Sequence, residues 1–174
     1  VSERLIEYAD DVVVADKKSM FTGRGLLKAT TVLSNNISNT VPLGSAIAVS
    51  VTKSCNSVIG LLASQFAGCV YVPIDPSLPK ERQAHILQDA DVKLVLSDSD
   101  FVDDSQLSAI KHINIEALSA AKNSDHLLQP RSFATSYYLY TSGSTGQPKG
   151  VAIEQTALSA FLNGASNRLG IAPY

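Results

Sequence analysis

At 174 residues, 45% of them hydrophobic and 17% charged, the chain is long enough for one core-forming domain and too apolar for a disordered one. A net charge of −2 and a pI near 5.9 offer no basic field for a nucleic-acid backbone. No apolar run approaches the length of a membrane span, and no basic-then-apolar leader opens the chain. Two cysteines, Cys55 and Cys69, suit neither a disulfide framework nor a metal cluster; they read as reduced, buried thiols of a cytoplasmic protein. A start at Val1 and a stop at Pro173-Tyr174 read as an excerpt of a longer polypeptide.

In chain order, Glu3 to Asp10 predicts a short helix, Val12-Val13-Val14-Ala15 a buried strand, and Asp16 to Ser19 a turn. From Gly25 to about Ile37, Leu26, Thr30, Leu33 and Ile37 recur at helical spacing, with Asn35, Asn36 and Asn39 signalling the exit. Asn36-Ile37-Ser38 also matches a glycosylation sequon, a single match of little weight. Ala46 to Val51 is an almost continuously apolar run, as in a strand covered on both faces. Asn56 or Ser57 can cap the next helix, which Gly68 ends before the strand Cys69 to Val72. Pro73, Pro76 and Pro79 impose a stiff connection around Asp75. A polar helix from Lys80 to Ala90 leads into the strand Val92 to Leu96.

Ser97-Asp98-Ser99-Asp100 with Asp103-Asp104 is the most acidic stretch, but it lacks the glycine turn and terminal glutamate of a calcium loop and reads as solvated. A weak strand follows near His112 to Ile115. Then an aromatic-rich strand, Ala134 to Tyr140, runs into a glycine loop; Val151 to Ile153 resumes as strand and Thr156 to about Leu169 as helix. Alternating strands and helices predict an α/β layer architecture with parallel strands, while the later strands around the glycine loop lack helical spacers, which predicts that part of the sheet is antiparallel. His85, His112 and His126 have no spacing that suggests a metal site or nucleophile relay.

The loop itself, Tyr140-Thr141-Ser142-Gly143-Ser144-Thr145-Gly146-Gln147-Pro148-Lys149-Gly150, is composed to approach an anion. Its glycines let main-chain N–H groups come close to a ligand, Thr141, Ser142, Ser144 and Thr145 add hydroxyl donors, and Lys149 adds a positive charge. It fails as a P-loop, since Lys149 is followed by Gly150 and a strand, and no glycine stands two residues before Gly143 to make a dinucleotide fingerprint. A Ser/Gly linker is the alternative, though linkers seldom join two apolar strands.

Tyr140 to Gly150 resembles the phosphate-loop signature of the adenylate-forming superfamily, which holds acyl-CoA synthetases, luciferases and the adenylation domains of non-ribosomal peptide synthetases. Upstream, Gly68-Cys69-Val70-Tyr71-Val72-Pro73-Ile74-Asp75-Pro76 is similar to the second core motif of peptide-synthetase adenylation domains, and Pro79, Arg82, Leu87, Asp89-Ala90 and Leu94 to Ser97 fall where that branch has them. The first core motif is degenerate around Met20-Phe21-Thr22-Gly23, and Gln155 stands where the family commonly has histidine, near the acyl substrate in relatives.

The resemblance implies the N-terminal portion of the large subdomain of an AMP-binding domain over residues 1–174, with a mixed, mostly parallel sheet flanked by helices and the C-terminal lid absent. It implies a parent that uses Mg-ATP to turn an amino acid or other carboxylate into an acyl-adenylate and loads it onto the phosphopantetheine thiol of a carrier domain, beside condensation domains. Thr141, Ser142, Gly143, Ser144, Thr145, Gly146 and Lys149 would hold the β- and γ-phosphates, with the magnesium ligands and the catalytic lysine beyond residue 174. Asp75 would be structural, and Phe66, Tyr71, Tyr137 and Tyr138 core aromatics. An excerpt of this kind would be inactive alone; a fragment of an aryl or acyl-CoA synthetase and a truncated non-catalytic module that binds nucleotide or a partner are the alternatives.

Overall fold

A computed structural model describes residues 1–98, 110–116, 131–142 and 148–169. Its centre is a six-stranded sheet ordered β6-β5-β3-β4-β7-β8, built from β3 (Ala46–Ser50), β4 (Val70–Pro73), β5 (Val92–Ser97), β6 (Lys111–Asn114), β7 (Thr135–Ser142) and β8 (Pro148–Glu154). Every pair is parallel except β7 with β8, which run antiparallel as the missing helical spacer predicts. Helices α3 (Cys55–Phe66) and α4 (Lys80–Asp89) make the crossovers, while α2 (Gly23–Thr40) packs beside α3 and α5 (Gln155–Leu169) follows β8. The mixed, mostly parallel sheet flanked by helices is therefore present as expected, and among the described residues no helix is long and apolar enough to cross a membrane.

The continuous apolar run of β3 has the reason anticipated for it: all five residues are buried, because helices cover both faces. Ile47, Val49, Leu94 and Leu96 face the side of α2 and α3, and Ala46, Ala48, Val72 and Val95 face the side of α4. Fully burying Ile47, Leu94 or Leu96 contributes roughly 1.5–3 kcal/mol each. A register shift between Ala46 and Ile47 leaves Lys93 as the extra residue of β5, so the charge stays exposed while its neighbours keep their faces.

Four expectations need correction. Val12–Ala15 is a strand (β1) but not a buried one: it pairs only with β2 (Met20–Thr22) in a separate two-stranded ribbon, leaving Val12 57% exposed. An apolar run signals a strand, but burial also needs a layer above it. Helix α2 does not leave at Asn35 or Asn36. Asn36 Nδ2 donates to the Val32 carbonyl (2.8 Å) and Thr40 Oγ1 to that of Asn36 (2.6 Å), so these polar residues bond back into the helix. What stops it is Pro42, which holds Val41 extended at φ −135° and ψ 153°. Finally, α3 starts at Cys55, ahead of both proposed caps, and the capping residue Ser54 makes no side-chain cap bond. The first helix, α1 (Ser2–Glu7), is also shorter than its pattern suggested.

Gly68 does end α3 as expected, at φ +68°, and Cys69 N–H then reaches the Ser64 carbonyl (3.0 Å). The proline-rich connection after β4 is held by Gln83, whose amide donates to the carbonyls of Pro76 (3.1 Å) and Leu78 (2.7 Å). Asp75 is structural there: its Oδ1 accepts from Ser77 N–H (2.9 Å) and Ser77 Oγ (2.7 Å), which lowers its pKa.

Candidate functional site

In a doubly wound sheet, anionic ligands are expected beyond the carboxyl ends of the strands, where neighbouring crossovers depart in opposite directions. Here that point lies between β3 and β5, and the chain fills it with its own acids. Asp16 Oδ2 accepts from Cys55 N–H (2.7 Å) at the start of α3, and Oδ1 accepts from Lys18 N–H (2.7 Å) and Ser19 N–H (2.8 Å). Those main-chain bonds, Cys55 first, hold the Asp16 carboxyl well below its ordinary 3.8. The positive end of α3 is thereby satisfied by a carboxylate from 39 residues upstream. Next to it, Asp98 Oδ2 accepts from Thr52 N–H (3.1 Å) and Thr52 Oγ1 (2.8 Å). Two fixed negative charges make this crevice hostile to phosphate.

The cysteines nearby match the bland expectation. Both are free and buried, and burial pushes each thiol above its ordinary value, with Asp16 adding to the effect at Cys55. Neither is a poised nucleophile.

The stretch that resembles a phosphate loop is instead flanked by β7 and β8, at the far side of the sheet. Thr141 stands directly opposite Lys149 across the antiparallel pair, with Ser142 opposite Pro148 and Tyr140 opposite Gly150. Thr141 and Lys149 are both exposed, so the hairpin presents a hydroxyl and an ammonium together at the mouth of the loop. Gly143, Ser144, Thr145 and Gly146 lie outside the described residues, as does the side chain of Ser142. Gly150 makes room for its cross-strand partner: a Cβ there would come within 2.9 Å of Tyr140 Cζ, so the ring lies over the glycine.

Helix α4 touches both strands just below this mouth. Tyr140 Oη donates to Asp89 Oδ2 at 2.6 Å, and His85 Nε2 donates to the Pro148 carbonyl at 3.3 Å. Burial, and then the Asp89 carboxylate, push the Tyr140 phenol well above its ordinary value, so it remains a donor. Sequence reading missed both contacts. Their only signal is the four-residue spacing of His85 and Asp89, which puts them on one helix face.

A second polar cluster joins α3, β7 and α5. Gln65 Nε2 donates to the Ser136 carbonyl (2.7 Å), Gln65 Oε1 accepts from Ser136 Oγ (3.1 Å), and Gln155 Nε2 also donates to Gln65 Oε1. Beside it opens a groove of about 720 Å3 walled by Leu61, Leu62, Tyr71, Tyr137, Leu158 and Leu162. Gln155, singled out as a departure from the family, thus has a structural bonding role. Of the expected core aromatics, Phe66 is buried, while Tyr71, Tyr137 and Tyr138 are half-buried. His112 Nε2 is hydrogen-bonded to Ser97 Oγ at 2.7 Å, and among the described residues no group of three His, Cys, Asp or Glu side chains could hold a metal ion. His126 and the acidic positions 99–104 lie outside the described residues.

The comparisons with known proteins fit this geometry. The family model described as AMP-binding enzyme matches residues 2–172. Tyrocidine synthase 3 of Brevibacillus parabrevis is 40% identical over 115 residues, covering 63% of this chain and 2% of its own length. Among solved structures, the non-ribosomal peptide synthetase FmoA3 in its AMPPNP-bound form superposes with a TM-score of 0.84 at 21% identity, over 99% of this chain and 19% of its own. The o-succinylbenzoate CoA synthetase MenE of Bacillus subtilis, in complex with its acyl-adenylate intermediate, gives 0.74 at 20% identity, over 98% of this chain and 46% of its own. The chain spans only 2% of the length of tyrocidine synthase 3 and 10% of that of the AMB antimetabolite synthetase AmbB of Pseudomonas aeruginosa. With a family model that matches residues 2–172, the chain belongs to the AMP-binding enzyme family.

Proposed function

We propose that the chain is the N-terminal, phosphate-gripping portion of a peptide-synthetase adenylation domain. Its parent activates an amino acid in the cytoplasm for transfer to a carrier domain, next to condensation domains. The observation that carries this reading is the pairing of Thr141 with Lys149 across the β7–β8 hairpin, at the two ends of a loop of glycines and hydroxyls. Its support in sequence is the match to nonribosomal peptide synthetase 8 of Aspergillus fumigatus, 29% identical over 90% of this chain.

In this reaction a substrate carboxylate oxygen attacks the α-phosphorus of ATP. The new P–O bond forms as the bond to the β-phosphate bridge breaks, releasing pyrophosphate and leaving an acyl-adenylate. A thiol then attacks the acyl carbonyl, gives up its proton and expels AMP. Thr141, Ser142, Ser144 and Thr145 would donate to the β- and γ-phosphate oxygens, Gly143 and Gly146 would offer backbone N–H groups, and Lys149 would offset the charge gathering on the leaving pyrophosphate. The magnesium ion that accompanies ATP would supply further charge neutralisation.

Exchange of labelled pyrophosphate into ATP tests the reading. The 174-residue chain alone should show no amino-acid-dependent exchange; robust exchange would sink the half-site interpretation. The whole polypeptide encoded with this chain should exchange with one or a few amino acids and load a carrier-domain thiol. Transfer to free coenzyme A instead would move the protein to the acyl-CoA synthetase branch. Absence of exchange with every amino or aryl acid would leave a nucleotide- or partner-binding module.

A further inference from the structure

We infer that α4 is a positioning element for the phosphate grip, acting through His85 and Asp89 on the two strands that carry Thr141 and Lys149. The inference rests on the functional reading above and goes beyond it by naming residues that touch no substrate.

The geometry is specific. His85 and Asp89 are four positions apart, so they lie on one face of α4, one turn from each other. Asp89 binds the strand entering the loop, at Tyr140, one residue before Thr141. His85 binds the strand leaving it, at the Pro148 carbonyl, one residue before Lys149. Tyr140 and Gly150 are cross-strand partners, and the Tyr140 ring lies where a Gly150 side chain would be. The two contacts and this cross-strand packing therefore lock both sides of the hairpin to one rigid helix.

The packing of α4 explains why it can serve as a reference. Ile86 and Leu87 on its other face are 2% and 1% exposed and join the core against β3, β4 and β5. β8 is an edge strand with one neighbour in the sheet; Gln155 fixes the end away from the loop through Gln65, and α4 holds the end at the loop. A phosphate grip loses transition-state stabilisation when its donors shift by about an ångström. A helix anchored in the core and bonded to both strands limits that shift.

The test compares Asp89→Ala, Tyr140→Phe and their double variant, together with His85→Ala and His85→Gln, in the polypeptide that carries this chain. Pyrophosphate exchange is followed as a function of ATP, and amide hydrogen exchange is followed over 135–142 and 148–154. Asp89→Ala and Tyr140→Phe should each lower kcat/KM for ATP about tenfold, mostly through KM, as expected for one lost charge-assisted hydrogen bond. The double variant should be no worse than either single one, because both remove the same bond. His85→Ala should raise the KM for ATP in the same way, and His85→Gln, which keeps a donor, should restore it. Amides of both strands should exchange faster while the KM for the amino acid stays unchanged. If the wild type exchanges and the variants keep its KM and kcat for ATP, or the two losses add, the positioning role is overturned and the functional reading survives. If the wild type itself shows no ATP dependence, the functional reading fails and the positioning role falls with it.

Discussion

Gln155 Nε2 donates to Gln65 Oε1 across 90 residues of sequence, and the same oxygen accepts from Ser136 Oγ. The contact pins the first residue of α5 to the last turn of α3. Ser136 is 1% exposed, and Gln65 gives both its hydroxyl and its carbonyl a hydrogen-bond partner. Gln65→Leu should therefore cost about 1–3 kcal/mol, and Gln155→Leu, which removes one donor at a half-buried position, about 0.5–1.5 kcal/mol. Gln155→His keeps a ring N–H and should stay within about 1 kcal/mol of wild type. Urea unfolding of the three variants checks the order; equal costs for the two leucine variants would remove Gln65 from the centre of the cluster.

Asp16 makes a pH prediction whose sign follows from its depressed pKa. A carboxyl that is more acidic folded than unfolded contributes its full stability above the unfolded value, here near 3.8, and loses it as pH falls toward the folded value. Asp16→Asn keeps one acceptor oxygen but loses the charge at the N-terminus of α3. The variant should be less stable than wild type by a constant margin from neutral pH down to about pH 5, and the margin should narrow below about pH 4. Denaturation midpoints of both proteins across that range would show it, and a margin that widens in acid would refute the assignment.

The order of elements was legible because it depends on local patterns. Leu26, Leu33 and Ile37 at helical spacing, the apolar run of β3, and Gly68 at a helix end each report a constraint that acts within a few residues. Pro42 is an equally local stop signal, whereas the asparagines before it are tolerated inside the helix, Asn36 by bonding back to Val32. The buried reading of Val12 failed because exposure is set by what lies above a strand, which no window of sequence contains. The site divided in the same way. Its donors were readable from composition between Thr141 and Lys149, whereas Asp16 on α3, Asp89 on Tyr140 and Gln65 on Gln155 join positions 39, 51 and 90 residues apart. Long-range partners of this kind have no periodicity to betray them.

Gly60 sits on the face of α3 that meets β3, where an added Cβ would fall 2.8 Å from Val49 Cγ1. In a free helix, Gly→Ala is favourable by about 1 kcal/mol. Forcing a methyl into this buried contact costs about 1–3 kcal/mol, so Gly60→Ala should destabilise the protein on balance. In a Val49→Ala background the clash is gone and the same change should become stabilising. Thermal unfolding of the four proteins decides it; a stabilising Gly60→Ala with Val49 intact would mean that α3 can move away from β3 at little cost.

The loop hydroxyls give the most direct test of what the hairpin is for. If Ser144 and Thr145 grip the β- and γ-phosphates, each alanine variant of the whole polypeptide should lose roughly 1–3 kcal/mol of transition-state stabilisation, the range for a charge-assisted hydrogen bond. Thr141→Val should behave similarly, since it keeps the β-branched shape of a strand residue and removes only the hydroxyl. Lys149→Met should cost less, because a mobile, exposed ammonium is shared with solvent. The loss should also shrink at high salt for Lys149 and not for the hydroxyl variants, because screening acts on charge. Pyrophosphate exchange at two ionic strengths reads both effects. Unchanged rates in both Ser144→Ala and Thr145→Ala would remove them from the site and leave the hairpin without a phosphate to hold.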